Sequence, residues 1–418
     1  MSGTRLGAFA VAAIVAACGY PEPAPLGGGD APQGDDGASC QAACVDFTTV
    51  HACPSNANTT CTGATPVCKA GACTALIDVS FGDPVLVATT DSVSSFGLVD
   101  INADHKVDLV AALNPVSATS FSFGNGDRTF TAPLEFALKR PFFYGDLDGD
   151  GKADLLVQMT APSLDTYLGD GTGVWTIKQT GFSTIANATT TGRLIDLDED
   201  GKLDFAAVSS TSVVIFYGKG DGTFEPLNEL TTVTAAAQVV VADIDGDHHP
   251  DLVVRENAGS IETFRRTGAR TYAAGVVDSG VAATDLMSIG DFDGDGNADI
   301  VTTTTAKDKL VVAKSMGDGT FGSPVLTAAT SSIRALVVGD FNGDGIPDVS
   351  IVQPFDTTDQ TILAFVGRGD RSFKIVTTNV RDTGIRNAIQ AVDIVGQGKT
   401  DIFYTSSSNG AIRMVPSL

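Results

Sequence analysis

Along most of the chain, short apolar runs alternate with polar, glycine-rich breaks. Runs such as "AQVVVA" (237–242), "IRALVVG" (333–339), "DLVV" (251–254) and "DVSIV" (348–352) are four to eight residues long and bounded by Gly, Asn or Asp. Runs of that length with such boundaries predict β-strands. A further run regularly ends in a glycine turn, as in "SVVIFYGKGDGTF" (212–224), "LVVAKSMGDGTF" (310–321) and "TILAFVGRGDRSF" (361–373). The turn feeds one more run, as in "TFGSPVLTAAT" (320–330). The unit predicted is four short antiparallel strands joined by tight turns.

The unit repeats. Between its first two strands lies an aspartate-rich segment: "DINADHKVD" at 100, "DLDGDGKAD" at 146, "DLDEDGKLD" at 196, "DIDGDHHPD" at 243, "DFDGDGNAD" at 291, "DFNGDGIPD" at 340 and a degenerate "DIVGQGKTD" at 393. The steps are 46, 50, 47, 48, 49 and 53 residues. Four strands in such a period, repeated radially, predict an all-β, seven-bladed β-propeller of four-stranded antiparallel blades. The two ends fit a closed ring. The chain stops at "GAIRMVPSL", a third strand with nothing after it, while "SFGDPVLVATTD" (80–91) mirrors "TFGSPVLTAATS" (320–331). The N-terminal strand is therefore expected to complete the seventh blade, removing two open sheet edges. The propeller is assigned to residues 76–418.

The aspartate spacing has a chemistry. Hard cations such as Ca²⁺ take six to eight oxygen ligands. Asp at positions 1, 3 and 5 can wrap one point, and Gly at position 6 allows the sharp turn with positive φ. The twelfth position from Asp146 is Val157, inside a strand, so this is no EF-hand, which needs Glu there and flanking helices. A fourth carboxylate stands at position 9 instead. One such loop alone reads equally as an Asp-Gly turn; seven in phase, each with a ninth-position Asp, read as metal loops.

Together these features resemble the FG-GAP/VCBS repeats of integrin-α-like propellers, over about four-fifths of the chain. By that resemblance positions 1, 3, 5 and 9 offer side chains and position 7 a backbone carbonyl. The side-chain ligands expected are Asp100, Asn102, Asp104 and Asp108; Asp146, Asp148, Asp150 and Asp154; Asp196, Asp198, Asp200 and Asp204; Asp243, Asp245, Asp247 and Asp251; Asp291, Asp293, Asp295 and Asp299; and Asp340, Asn342, Asp344 and Asp348. The carbonyls expected are those of Lys106, Lys152, Lys202, His249, Asn297 and Ile346. Loops 146, 196 and 291 are complete. Asn342 and Asn102 weaken their sites by one charge, and His248 and His105 at position 6 strain the turn. Val395 and Gln397 remove two ligands from the last copy, so up to six Ca²⁺ are expected, with none in the seventh blade.

Charge supports a structural role for the metal. The formal charge is −24, and the loops hold 24 aspartates of the chain's 50 acidic residues. Six Ca²⁺ would add 12 positive charges and halve the net charge. Such a surface repels phosphate backbones and excludes nucleic acid as a partner.

The N-terminus reads as an export signal. Arg5 precedes an apolar run from Leu6 to Ala17, too short to span a bilayer, ending in "VAAC". This resembles a bacterial lipoprotein signal over 1–18, with Cys18 lipidated; an ordinary cleavage site after an Ala is the alternative. Residues 19–38 form a Pro/Gly/Asp linker. Residues 39–75 hold Cys40, Cys44, Cys53, Cys61, Cys68 and Cys73, expected to form a three-disulfide module with 15 possible pairings. Zinc is the competitor, but no C-x-x-C pair occurs.

Other features carry less. "GRGD" (367–370) falls in a strand turn, "HH" (248–249) sits at variable loop positions, His51 stands alone, and Asn58-Thr59-Thr60 matches a sequon irrelevant to a bacterial lipoprotein. No Ser-His-Asp or Cys-His arrangement is visible, so no catalytic residue is assigned. The expectation is a non-catalytic, monomeric, envelope-attached or secreted propeller, membrane-bound only through its lipid, mediating protein interaction or adhesion. The alternatives are a lectin, disfavoured by a single Trp, and an enzyme acting on extracellular polysaccharide or phosphoester.

Overall fold

A computed structural model describes residues 43–46, 49–52, 57–60, 67–69 and 72–74, and residues 76–418 apart from 89–92, 114–117, 137–140, 161–162, 184–191, 210–211, 226–227, 233–234, 279, 282–285, 357–358, 377–379, 384 and 407–409. Cys18, Cys40, Cys53 and Cys61 lie outside these residues. Within 39–75 the backbone forms a sheet of Ala43–Asp46, Thr49–Ala52 and Ala57–Thr60, and a hairpin of Val67–Lys69 with Ala72–Thr74 that places Cys68 opposite Cys73.

From residue 76 the chain builds seven four-stranded antiparallel sheets. Blade one is Val93–Val99, Asp108–Leu113, Ala118–Ser122 and Leu134–Phe136; blade two is Pro141–Gly145, Asp154–Thr160, Ser163–Gly169 and Trp175–Ser183. Blade three is Arg193–Ile195, Asp204–Val208, Ser212–Phe216 and Asn228–Thr231; blade four is Ala236–Ala242, Asp251–Glu256, Ile261–Phe264 and Val276–Asp278. Blade five is Met287–Gly290, Asp299–Thr303, Lys309–Ala313 and Val325–Ala328; blade six is Ala335–Gly339, Asp348–Pro354, Asp359–Gly367 and Phe373–Val376. Blade seven is Ile385–Val392, Asp401–Ser406 and Ile412–Val415, completed by Val85–Ala88.

The predicted closure is present. Arg413 pairs with Leu86 and Met414 with Val85, a bridge joins Phe81 to Ser417, and Leu418 N donates to Ser80 O at 2.8 Å. First strands of successive blades touch all the way round, from blade one through blade seven and back to blade one.

The apolar runs follow from this packing. A blade is covered on both faces by its neighbours, so its middle strands are buried without alternation, as in Asp204–Val208 and Ser212–Phe216. The outermost strands face solvent on one side and do alternate, as in Val325–Ala328. Each of the seven junctions has its own apolar cluster: Phe143 and Leu156 against Phe205 and Phe216 between blades two and three, Phe292 and Val301 against Ile351 and Phe365 between five and six, and Leu98 and Leu109 against Phe403 and Met414 across the closure. Trp175, the single tryptophan, is 4% exposed and packs edge-on to Phe121 in the first junction.

Two additions break the regular plan. Blade four replaces the glycine turn with a small hairpin, Arg266–Gly268 with Thr271–Tyr272. In blade six the segment Arg381–Thr383 pairs alongside the third strand.

Candidate metal centres

Each aspartate loop joins the first and second strands of its blade and is wound by its own carboxylates. In blade two, Asp146 Oδ1 accepts from Gly149 N (2.7 Å) and Oδ2 from Gly151 N (2.8 Å). Asp148 Oδ1 accepts from Asp150 N (3.2 Å), and Asp150 Oδ1 from Lys152 N (2.9 Å). The backbone turns left-handed twice, at Gly149 (φ 80°) and Gly151 (φ 84°). The sequence pointed to position 6 only; position 4 needs the same conformation. Non-glycine residues adopt it at Ala103 (63°), His105 (62°), Glu199 (59°) and His248 (66°), a strain for any residue with a Cβ.

The ninth-position Asp has a second task that the spacing did not reveal. Asp154 is fully buried; its Oδ2 accepts from Leu147 N and its Oδ1 from Gly169 N, both at 2.8 Å. The same pair of bonds recurs at Asp108, Asp204, Asp251, Asp299 and Asp348. This side chain ties the loop to the third-strand turn. In four blades the donor is the first Gly of that turn, and at Gly218 an added Cβ would stand 2.2 Å from Leu203 O. The recurrent "GxGD" was the available signal.

Carboxylates converge in four loops. Among the described residues, oxygens of Asp146, Asp148 and Asp154 lie within 4.8 Å of one another, as do those of Asp196, Asp198 and Asp204, of Asp243, Asp245 and Asp251, and of Asp291, Asp293 and Asp295. The loops at 100 and 340, which carry Asn102 and Asn342, are not among them. Asn342 Nδ2 donates to Asp344 Oδ2 (2.9 Å) and Ile77 O (2.7 Å). Position 7 presents its N–H to the position-5 carboxylate, and Lys106, Lys152 and Lys202 fold their ammonium groups back onto Asp104, Asp150 and Asp200.

Burial of so much negative charge is visible in the acidities. Desolvation raises Asp108 to about 6 and Asp154, Asp204 and Asp251 to about 7. Asp299 is raised to about 8, with Asp293 adding repulsion. Burial also raises Asp196, Asp291, Asp340 and Asp348. Asp293 Oδ1 is buried with no hydrogen-bond partner. A convergent, desolvated, oxygen-only donor set with an orphaned carboxylate oxygen fits a hard dication.

The seventh loop keeps the turn without the ligands. Asp393 still accepts from Gln397 N and Gly398 N, but Asp401 meets a guanidinium. Arg128 Nε and Nη2, from the blade-one turn, donate to its two oxygens at 3.0 and 3.1 Å. The Arg-Gly-Asp tripeptide lies in the blade-six turn, where Asp370 Oδ1 accepts from Ser372 N and Oγ. His248 is exposed, and His249 pairs with Glu199 at 2.9 Å.

Three segments, 146–206, 196–254 and 291–351, match the FG-GAP-like repeat family, each running from one aspartate loop into the second strand of the next blade. The chain carries FG-GAP-like repeats on a seven-bladed propeller. Its fold is similar to that of an Agrocybe aegerita lectin described as recognising non-reducing terminal N-acetylglucosamine, with 21% identity and a TM-score of 0.53 over 70% of this chain and 81% of the lectin. It is also similar to BBS1N, solved in complex with ARL6DN, with 10% identity and a TM-score of 0.54 over 82% of this chain and 98% of that one. No curated protein matches the chain. In this propeller the loops and the glycine turns share one face, since both connect strands at the same end of each blade.

Proposed function

We propose that this FG-GAP propeller is a calcium-binding, non-catalytic interaction module of the bacterial cell envelope, presenting a rigid disc to a protein partner. The observation that carries the metal part is the convergence of three carboxylates in each of four loops, with one buried oxygen of Asp293 unpartnered. Side chains at positions 1, 3, 5 and 9 of the six loops would hold the ions. A bound dication would supply neutralising charge to carboxyl groups that burial otherwise drives toward protonation. The protein's part is to fix the loop by its own amide bonds and to tie it, through the ninth-position Asp, to the neighbouring turn.

The interaction part rests on the disc itself. Its apolar clusters lie at the blade junctions, and the loops hold the clustered aspartates. BBS1N, of similar fold, was solved in complex with ARL6DN, which supports an interaction role. The export signal and lipidation of Cys18 expected from the sequence support an envelope location in this reading. Sugar recognition, the property named for the lectin, is the second reading. It is weaker here because Trp175 is core rather than an exposed platform.

The test is a pull-down from envelope and extracellular fractions with and without Ca²⁺, beside a glycan array. Calcium-dependent capture of one protein supports the proposal. Selective glycan binding without a protein partner supports the lectin instead, and turnover in a hydrolase or lyase screen would overturn the non-catalytic assignment.

A further inference from the structure

The four loops that gather three carboxylates differ in what already pairs with the position-3 Asp. In blade three, Asp198 is 3% exposed and meets Arg270 Nε at 2.5 Å. Arg270 reaches over from the blade-four hairpin, resting on the Tyr217 ring at 4.3 Å and on Glu225 at 2.9 Å. In blade five, Asp293 pairs with Lys314 at 2.8 Å and faces Arg371 of blade six at 3.5 Å. In blade four, Asp245 pairs with Arg265 at 3.3 Å. In blade two no basic side chain among the described residues pairs with Asp148; Lys152 turns to Asp150 instead.

The turn of the next blade explains part of this pattern. Arg128 and Arg371 hold the same place in their turns, "GNGDRTF" and "GRGDRSF", and each points back at the preceding loop. In the blade-three turn that place is Gly222, whose N–H donates to Leu147 O of the blade-two loop at 2.9 Å. A glycine there brings no basic side chain to Asp148 from this turn.

We propose that these basic side chains sort the loops by affinity for a divalent cation. The blade-two loop fills first. The loops of blades three, four and five fill only as Arg270, Arg265, and Lys314 with Arg371 give way, and in the seventh blade Arg128 has replaced the ion outright. A dication arriving at a paired carboxylate must break that partly buried pair, whereas at Asp148 no described basic side chain has to give way. Filling blade three or five also frees a guanidinium belonging to the neighbouring blade, so occupancy is felt across a junction. This inference rests on the calcium reading above.

The test is calorimetric Ca²⁺ titration of the full chain at pH 7.5. The wild type should show a tight step and a weaker class separated by about tenfold or more, equivalent to about 1.4 kcal/mol. Asp148→Asn should remove the tight step alone. Arg270→Gln, and Lys314→Gln combined with Arg371→Gly, should each strengthen one weak site by about tenfold, while Arg270→Lys, which keeps a cation, should not. Arg265→Gln provides the same reading in blade four should a blade-three variant fail to fold. Unchanged weak sites in these variants, or a tight step surviving Asp148→Asn, overturn the sorting while leaving calcium binding intact. A wild type that binds no Ca²⁺ overturns the calcium reading and the sorting together.

Discussion

Removing the Arg128 guanidinium should loosen the ring where it closes. Arg128 bonds both oxygens of Asp401 and also the Ser417 carbonyl at 3.0 Å, so it joins blade one to the second strand of blade seven and to the residues that follow its third. Asp401 is fully buried. Removing one partner of a buried ion pair costs about 3–5 kcal/mol because it leaves an uncompensated buried charge. Arg128→Ala leaves Asp401 in that position, and since the Arg128 side chain is partly exposed we expect a loss of about 3 kcal/mol at pH 8.

The assay is urea denaturation in saturating Ca²⁺, read by fluorescence of buried Trp175. Arg128→Lys should recover part of the loss. A loss below about 0.5 kcal/mol would refute this reading of the latch.

Three further outcomes follow from the same geometry. In chelator, thermal stability should fall as pH rises from about 4 to about 8, because Asp108, Asp154, Asp204, Asp251 and Asp299 are raised to between about 6 and 8 in the fold; saturating Ca²⁺ should flatten or reverse that slope, and melts at pH 5 and 8 decide it. His248→Gly should raise the melting midpoint, relieving a left-handed non-glycine residue at φ 66° worth about 1 kcal/mol. Gly218→Ala should cost about 2 kcal/mol or more in chemical denaturation, since the new Cβ would meet the Leu203 carbonyl at 2.2 Å and disturb the bond to Asp204.

The architecture was legible because it repeats. Seven phased loops and a displaced first strand specify a closed ring without any single segment being decisive. The positions of the aspartate loops were legible for the same reason. What escaped were contacts made across junctions. Asp401 and Arg128 are 273 residues apart, and their pairing depends on the ring returning the last blade to the first. Arg270 reads as a loop residue until the blade-four hairpin carries it to Asp198. The ninth-position Asp was read as a ligand alone, since its bonds to Leu147 and Gly169 are made by backbone amides that no side-chain pattern encodes. The segment Arg381–Thr383 escaped because a three-residue strand gives too short a pattern to register.

The account stands most directly on calcium occupancy. Equilibrium dialysis of the full chain at pH 7.5, paired with calorimetric melts in Ca²⁺ and in chelator, measures it. We predict four to six ions per chain, the four gathered loops and up to two more at the asparagine-bearing ones, with a melting midpoint that drops in chelator and returns with Ca²⁺. Less than one ion bound per chain, together with superimposable melting curves, would contradict the reading of these loops as structural metal centres.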